Sequence, residues 1–486
     1  MPNFRNVGFV VGVLLQFIAV MMLIPLGISI NYGDGDTIAF IWSILITIAA
    51  GTALMFLRRK GKDISIREGF AVVSLSWVSA ALVGALPFFL SGAIPSFTDC
   101  LFESMSGFTT TGSSILGSHN TIESLPHGVL FWRSLTHWLG GMGIILLSLA
   151  ILPMLGVGGM QLFRAEVPGP TKDKLTPRIK DTAKILWMVY LGISVLEMLL
   201  LWIGGMNLFD SACHTFGTMA TGGFSTKSAS IGFYDSRYIQ YVIIIFMFIA
   251  GTNFALHYRF IFKGQINCFW SSREFRFYLL VVILFTILIM GYGLGFQPSA
   301  AIETCFRESL FQVVSLLTTT GYGTADWELW GAFPQVLLVL LMFVGGMAGS
   351  TGGGVKVIRV QVLLAQVKIE LSRLIHPQAV NPLRIGGQVI SAGIVSNVLA
   401  FLLAFGLILG ASTAILAAMG IDMVTSFGAA VASLSNIGPG LGEVGPVDNY
   451  AWMPSAAKWL LIALMMLGRL EVFTVLVLFS RHFWRR

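Results

Sequence analysis

Four short stretches of this chain set small polar residues beside glycine in a way that can expose backbone oxygens. They are Thr109-Thr110-Thr111-Gly112-Ser113-Ser114, Met219-Ala220-Thr221-Gly222-Gly223-Phe224, Leu317-Thr318-Thr319-Thr320-Gly321-Tyr322-Gly323-Thr324 and Ser435-Asn436-Ile437-Gly438-Pro439-Gly440. Glycine permits dihedrals that a side chain forbids, so an extended Thr/Gly segment can stack its carbonyls, and threonine adds a hydroxyl oxygen. Oxygens stacked in this way replace the hydration shell of a monovalent cation. A single loop of this kind is most often a turn between helices. Here Gly112, Gly222, Gly321 and Gly438 lie 110, 99 and 117 residues apart, and recurrence at that interval predicts four similar units in one chain.

The composition says what surrounds these loops. The 486 residues are 56% hydrophobic and 11% charged, with a mean hydropathy of +0.82, which excludes a soluble enzyme with one buried core and indicates a chain that uses lipid as solvent. The first apolar run, Val7 to Ile30, is long enough to span a bilayer and has no small-residue cleavage site after it, so it reads as a retained helix. The net charge of +7 does not point to nucleic acid, because the basic residues cluster in Arg58 to Arg67, Arg164 to Lys184, Arg259 to Arg276, Lys356 to Arg384 and Arg481 to Arg486, each beside a long apolar segment. By the positive-inside rule these clusters are cytoplasmic, with both termini inside. The loops holding Asp34, Asp36, Asp99, Glu123, Asp235, Asp326, Glu328, Glu443 and Asp448 face the other side. Cys100, Cys213, Cys268 and Cys305 have neither CxxC nor zinc-ligand spacing, and no disulfide is expected among them.

The elements that must position the loops repeat in order: a span, a short apolar helix, the Gly loop, a second span. The first unit has Phe70 to Leu90, Phe97 to Phe108 and Val129 to Leu152. The second has Ala183 to Ile203, Leu208 to Thr218 and Tyr238 to Phe262. The third has Phe275 to Gly295, Ala301 to Leu316 and Phe333 onward, and the fourth Val389 to Met419, Met423 to Leu434 and Ala456 to Phe479. The short helices cannot cross a bilayer and fit re-entrant helices that enter and turn back. Non-helical backbone at membrane depth is tolerated only where protein buries it or water lines it. The expected fold is therefore an all-α polytopic membrane protein, with four pseudo-symmetric units around one central pore. A two-helix N-terminal hairpin precedes them, giving about ten spans and four re-entrant pore helices. The expected boundaries are 1–66 for the hairpin and 67–180, 181–272, 273–384 and 385–486 for the units.

Three further features ask for a role. Gly345 to Gly354 interrupts the apolar run Phe333 to Leu364 with Gly345, Gly346, Gly349, Gly352, Gly353 and Gly354, and with Ser350 and Thr351 among them. So many glycines should break a helix. It fails as a phosphate loop, since Val355 stands where lysine must follow and no strand precedes it; close helix packing accounts for one or two glycines, not six. A flexible loop beneath the four Gly loops, obstructing the pore, is the expected role. Arg469 lies within the apolar run Ala456 to Phe479, where an ionised side chain is expensive and presumptively functional; the alternative is a structural ion pair, for which Glu471 is poorly placed two residues away. Glu197 is similarly embedded and reads best as a protonated or hydrogen-bonded structural carboxyl. Asp99, Glu103, Asp210, Glu303, Glu308 and Asp422 lie near the starts of the short helices, where negative charge complements the helix dipole and caps amides. The seven histidines show no metal spacing.

Thr-Thr-Gly-Tyr-Gly at residues 319–323 differs at one residue from the potassium-channel signature Thr-Val-Gly-Tyr-Gly, and the arrangement of four such loops in one chain resembles the Trk/Ktr/HKT superfamily of potassium transporters. The likeness to its bacterial Trk members covers nearly the whole chain. It includes the N-terminal hairpin, Pro168-Gly169-Pro170 with Lys174-Leu175-Thr176-Pro177-Arg178, Gly349-Ser350-Thr351-Gly352-Gly353-Gly354-Val355-Lys356 and Gly468-Arg469-Leu470-Glu471. The resemblance implies potassium uptake across the bacterial inner membrane, K+ as the transported and filter-bound ion with no organic cofactor, and no enzymatic activity. It also implies a homodimer with one pore per protomer and a cytosolic nucleotide-binding regulatory ring of the TrkA type; the basic segments Arg164 to Lys184 and Lys356 to Arg384 are expected to contact anionic membrane lipid or that ring. Carried over by residue, the filter layers are Thr110, Ala220, Thr319 and Asn436; then Thr111, Thr221, Thr320 and Ile437; then Gly112, Gly222, Gly321 and Gly438. Ser113, Gly223, Tyr322 and Pro439 follow at the outer mouth. In the family, serine for the first filter glycine accompanies sodium transport, so glycine in all four loops implies potassium. The likeness also supports the glycine run as a gate and places Arg469 facing the pore as an electrostatic barrier. A secondary symporter coupling potassium to protons or sodium is the competing expectation; an intramembrane enzyme is a distant third.

Overall fold

The computed structural model describes residues 4–56, 65–117, 122–151, 179–296, 301–378, 381–386 and 388–484. The segments 168–170 and 174–178 quoted above, and most of the basic clusters at 58–67 and 164–184, lie outside the described residues. The first hairpin consists of Phe4–Met21 continued by Leu23–Tyr32, then Thr37–Met55. Its two arms cross closely because both carry glycine at the contact: a Cβ on Gly12 would lie 2.6 Å from Gly51 O, and one on Gly51 would lie 3.0 Å from Gly12 O. Small residues at a crossing are what bring helices together in lipid, where apolar packing alone gives no preference over the solvent. Gln16 fixes the register by donating to Ile48 O at 3.0 Å and Thr52 Oγ1 at 2.9 Å.

The four units follow in the expected order. Their short helices are Phe97–Phe108, Leu208–Met219, Ile302–Leu317 and Met423–Ser435. Each is preceded by a long apolar helix: Ile66–Gly84 with Leu86–Leu90, Ile179–Ile203, Arg273–Phe296 and Ala392–Ala418. By length and composition six helices of the described residues can cross a bilayer unbroken, and two bent pairs make up to eight. His127–Ile151 and the interrupted pair Ala332–Met342 and Val357–Ile375 supply the remaining crossings of the units. Large apolar side chains face outward along these helices, Ile203 and Leu403 among them, while Glu103, His137, Glu197 and Thr318–Thr320 are fully buried. This inversion of the soluble pattern follows from lipid as solvent, because the outside has no polar demand and the polar groups gather where they bond one another.

Two second spans expected to be continuous are bent. Arg237–Ala250 and Phe254–Lys263 meet at 101°, and Ser455–Arg469 and Phe473–Phe479 at 116°. At the first bend the Asn253 side chain caps the new helix by accepting from Ala255 N at 2.8 Å. The freed carbonyls are taken by the glycine run, with Met347 N donating to Gly251 O at 2.9 Å and Thr351 N to Ala250 O at 3.4 Å. At the second bend Glu471 and Val472 have φ of 55° and 54°, and Phe473 N donates back to Glu471 O at 2.5 Å, a strained tight turn for a β-branched residue. Arg469 is thus the last residue of a helix, and Glu471, which does not pair with it, pairs instead with Arg359 of the helix Val357–Ile375.

The hairpin docks onto the first unit by capping its second helix from outside. Asp34 Oδ2 accepts from His127 N at 2.8 Å and meets His127 Nδ1 at 2.6 Å, and Asp36 Oδ2 accepts from Val129 N at 3.1 Å. Tyr32 stacks on the His127 ring at 3.9 Å between centroids. The hydrogen bonds from His127 hold the Asp34 carboxyl below its ordinary range. A depressed folded value means that this carboxylate stabilises the docked hairpin at pH above about 4 and loses that contribution as pH falls through the lowered value. The melting-temperature difference between wild type and Asp34→Asn, measured in detergent, is therefore expected at pH 6 and should shrink progressively below about pH 4; a difference independent of pH would remove the carboxylate from the docking contact.

Candidate functional site

Each short helix ends in the same device. The first residue beyond the last full turn is left-handed: Thr110 has φ 52°, Thr221 54°, Thr319 60° and Asn436 55°. Its N–H bonds the carbonyl three residues back, as in Thr110 N to Gly107 O and Thr319 N to Leu316 O, both at 3.1 Å. The next N–H bonds the carbonyl five back: Thr111 N to Ser106 O, Gly222 N to Gly217 O, Thr320 N to Ser315 O and Ile437 N to Ala432 O, at 2.8–2.9 Å. This is the Schellman arrangement, which satisfies carbonyls that a helix end otherwise leaves open. Glycine or asparagine is usual at such a left-handed position, so three threonines there carry strain of roughly 1–2 kcal/mol each.

Two residues further on, each loop has a positive-φ glycine: Gly112 at 83°, Gly223 at 80°, Gly321 at 80° and Gly438 at 99°. Dihedrals and hydrogen bonds agree that the second loop sits one residue away from the register expected from spacing. The second short helix continues to Met219, so Thr221, not Ala220, matches Thr110, Thr319 and Asn436. Gly222 takes the place of Thr111, Thr320 and Ile437, Gly223 that of Gly112, Gly321 and Gly438, and Phe224 that of Ser113, Tyr322 and Pro439. Ala220 is the helix cap, with the right-handed φ of −79°. The adjacent pair Gly222-Gly223 hid this; aligning Thr221 with the central threonines of the other loops would have revealed it.

The corrected glycines lock into a ring. A Cβ on Gly112 would lie 2.1 Å from Gly222 O, one on Gly223 2.1 Å from Thr320 O, one on Gly321 1.9 Å from Ile437 O, and one on Gly438 2.8 Å from Thr111 O. Each glycine therefore makes room for the carbonyl of the equivalent residue in the next unit, and the fourth unit returns to the first. Four carbonyls share one layer at the C-terminal ends of four helices. Those ends each carry about half an elementary negative charge, which favours a cation. The Thr110 hydroxyl and Asn436 Oδ1, in the layer beneath, are buried and have no hydrogen-bond partner among the described residues.

Ties between units hold the ring. Tyr322 OH, from the third loop, donates to His214 O and Phe224 O of the second unit, both at 3.1 Å. Asn436 Nδ2 donates to Thr111 Oγ1 at 2.9 Å. Gly438 O accepts from Tyr450 OH at 2.8 Å and from Ser113 Oγ at 3.2 Å, so both lone pairs of that oxygen are engaged and the fourth wall differs chemically from the others.

The glycine run packs against the helix ends beneath the ring. Val344–Gly345 and Val355–Lys356 pair in parallel, and the residues between fold back against Thr318, Thr319 and Ser435 at the ends of the third and fourth short helices. Gly353 N donates to Thr319 Oγ1 at 2.7 Å, and Thr351 Oγ1 donates to Met219 O at 3.0 Å. A Cβ on Gly352 would lie 2.9 Å from Thr318 O, and one on Gly353 2.5 Å from Ser435 O. Gly346, Gly349 and Ser350 turn the segment onto Gly251 and Asn253, Ala348 N donates to Glu274 Oε1 at 2.7 Å, and Lys356 Nζ donates to Gly352 O; Gly354 closes the segment at φ 65°. Arg469 clamps it from the far side, donating to Thr351 O at 2.8 Å and to Gly140 O of the first unit at 3.0 Å. Glu197 is buried beside Thr218 of the second short helix.

Among the residues expected to cap short helices, Asp422 does so, accepting from Val424 N at 2.9 Å and Thr425 N at 3.0 Å. Asp99 pairs with Lys458 at 2.6 Å, Glu303 with Arg307 at 2.8 Å, and Asp210 accepts from Thr226 Oγ1 at 2.6 Å. Glu103 is far from a helix start in role: it pairs at 2.6 Å with Arg133. Arg133 and Tyr450 are site residues that sequence reasoning missed, although Arg133 interrupts the apolar run 129–152 as plainly as Arg469 interrupts its own.

Comparison with known proteins agrees with this architecture. The family model described as TrkH, cation transport protein, matches residues 37–486. The chain belongs to the TrkH family. Membership makes it a transport protein and not an enzyme. It is 44% identical over 490 residues to the Trk system potassium uptake protein TrkH of Escherichia coli strain K12, covering 99% of this chain and all of that one. It is 33% identical to the Trk system potassium uptake protein TrkG of the same strain, over 99% of each. The crystal structure of the potassium transporter TrkH from Vibrio parahaemolyticus superposes with a TM-score of 0.89 at 37% identity, covering 99% of this chain and all of that one. In this TrkH-family chain the closed ring makes Gly223→Ala severe, since the methyl group would meet Thr320 O at 2.1 Å in a backbone region alanine rarely adopts. Tracer cation uptake into proteoliposomes should be abolished, whereas wild-type uptake would show that the second loop does not close the ring.

Proposed function

We propose that this chain carries potassium into the bacterial cell across the inner membrane, through a gated, channel-like pore whose selectivity filter is the ring of four loops. The observation that carries the reading is the cyclic fit of Gly112, Gly223, Gly321 and Gly438 to the preceding carbonyls of the next unit. It gathers Thr111, Gly222, Thr320 and Ile437 oxygens where four helix C-termini converge, the environment that replaces a monovalent cation's hydration shell. The names of the relatives, potassium uptake proteins of the Trk system, support potassium as the ion, as does glycine in every loop. The units 67–180, 181–272, 273–384 and 385–486 are read as the four walls and 1–66 as an accessory hairpin. Multi-pass insertion with both termini cytoplasmic follows from the basic clusters. A homodimer with one pore per protomer and a cytosolic nucleotide-binding ring of the TrkA type, on the strength of the family resemblance, and contact of the basic cytoplasmic segments with membrane lipid complete the proposal.

Flux measurements on the chain reconstituted in bilayers test it. The reversal potential should follow the potassium gradient, with no response to a pH gradient and none to sodium beyond its permeation as a competing ion; a shift with either gradient larger than permeation accounts for would replace the conductor with a symporter.

The gate reading adds a second expectation. Segment 345–354 is bonded to the filter through Thr319 and to the first and fourth units through Arg469. The Arg469 side chain thus both places a positive charge beneath the filter and holds the obstructing loop. Of its two bonds only the one to Thr351 O holds the segment; it is charge-assisted, worth roughly 1.5–3 kcal/mol, so losing it should raise the open population by roughly ten- to a hundredfold. Arg469→Ala, or deletion of Ser350–Gly353, should raise potassium flux accordingly and loosen its dependence on the cytosolic partner. Unchanged flux in both would refute the gate.

A further inference from the structure

The position nine residues before each filter glycine is occupied by Glu103, His214, Gln312 and Ala429, one per short helix and all buried. In three units this side chain reaches forward to the segment that leaves the filter. His214 Nε2 meets Ser225 Oγ at 2.9 Å and Gln312 Nε2 donates to Ala325 O at 3.4 Å. Glu103 accepts from Ser114 Oγ at 2.9 Å and from Ile115 N at 3.0 Å. The fourth unit has only alanine there. The first unit alone makes this strut ionic, and only its partner extends into a neighbouring unit. Arg133 Nε donates to Glu103 at 2.6 Å, Nη2 to Ser114 Oγ at 3.1 Å, and Nη1 to Ser225 O of the second loop at 2.9 Å. Its guanidinium lies 3.6 Å from the centre of the Phe224 ring, which stands at the outer-mouth position of the second loop.

We propose that the Glu103–Arg133 pair is a positioning device for selectivity, fixing the separation of the first and second filter loops and so the discrimination of potassium from sodium. The inference rests on the filter reading above. Its physical basis is that a smaller ion is rejected only where the oxygens cannot close around it. Two loops joined by a planar guanidinium with three fixed hydrogen bonds and one stacked face cannot approach or separate freely. A buried ion pair is weak evidence for stability and is better justified where it specifies one arrangement. Here it touches both loops at the outer exit of the filter; the other charged contact between the two units, Glu123 accepting from Ser228 N at 2.7 Å and Ser228 Oγ at 2.6 Å, lies further along the chain from both loops.

The test is the bi-ionic potassium-to-sodium permeability ratio of the full chain in bilayers, for wild type, Arg133→Gln, Glu103→Gln and Asp34→Asn. Glu103→Gln keeps the shape of the strut and one acceptor, so it guards against loss of the fold. Both Glu103→Gln and Arg133→Gln should lower the ratio on the order of tenfold while still carrying potassium, with sodium flux rising. Asp34→Asn, which loosens only the hairpin, should leave the ratio unchanged. A wild-type ratio in Glu103→Gln that elutes as folded protein would overturn the proposal, as would a failure of both variants to fold, which would assign the pair to stability alone. A wild-type chain without potassium preference would instead overturn the filter reading itself.

Discussion

The structure depends on a steric condition: each of four glycines must lack a side chain because the next unit's carbonyl stands where its Cβ would be. Interlocking of this kind is all-or-none. A ring of three fitted walls and one displaced wall loses two contacts, since every unit is both a glycine donor and a carbonyl donor to its neighbours. Around this condition the chain accepts local strain. Thr110, Thr221, Thr319 and Asn436 hold left-handed dihedrals, three of them on β-branched residues that resist it. Together this comes to several kcal/mol, comparable to the net stability of a whole domain. Such strain persists only if the surroundings over-determine it, and the ties from Tyr322, Asn436, Tyr450 and Arg133 are that over-determination. Those from Tyr322, Asn436 and Arg133 run between units, while that from Tyr450 holds Gly438 O of its own unit, so three of the four ties need a neighbouring unit in place.

The four walls are alike in backbone and unlike in chemistry. The hydroxyls of Thr109 and Thr111 meet at 2.8 Å, and those of Thr318 and Thr320 at 2.7 Å. The second loop has glycine, and the fourth isoleucine, at the position of Thr111 and Thr320. Supporting struts differ in the same way, from an ion pair to a histidine, a glutamine and an alanine. A single chain can diverge its walls where an assembly of identical subunits cannot, and each wall can be held by a different device as long as the glycine fit is kept. Buried polar groups are costly unless bonded, and the interior solves this by concentrating them at the ring while leaving apolar side chains to lipid.

Much of this was legible in the sequence because the signals were of the kind that composition and spacing carry. The short helices end where a dozen apolar residues give way to Thr/Gly, and the glycine run from Gly345 stands out in an apolar background. What was not legible depended on one-residue differences or on long-range partners. In the second loop, Gly222-Gly223 offers two equally good glycines, and only the left-handed dihedral of Thr221 and the bond from Gly222 N to Gly217 O decide between them. The bends after Ala250 and Arg469 have no proline to announce them. They are stabilised from elsewhere, by the glycine run donating its N–H groups to the bend's carbonyls and by Arg359 holding Glu471. Arg133 was visible as a charge in an apolar run, but its partners lie 30 and 92 residues away in the chain, a separation no local pattern encodes.

Those bends explain why the glycine run sits where it does. Irregular backbone at membrane depth needs its amides and carbonyls satisfied by protein, and a glycine loop alone cannot satisfy itself. It lies at a level where the second helix of the second unit is broken, so that Ala250 O and Gly251 O are free to accept, and where the fourth unit's helix ends at Arg469, whose guanidinium can donate. The same segment donates Gly353 N–H to the Thr319 hydroxyl, one of the strained residues on which the ring is built. On the gate reading proposed above, withdrawing the segment would give up this bond to the ring as well as the Arg469 clamp, so the ring's inner layer would change partners as the segment leaves. The ring and the glycine run are in this sense one hydrogen-bonded body, and the third unit, which supplies both Thr319 and the glycine run, is the part of the chain through which they are joined.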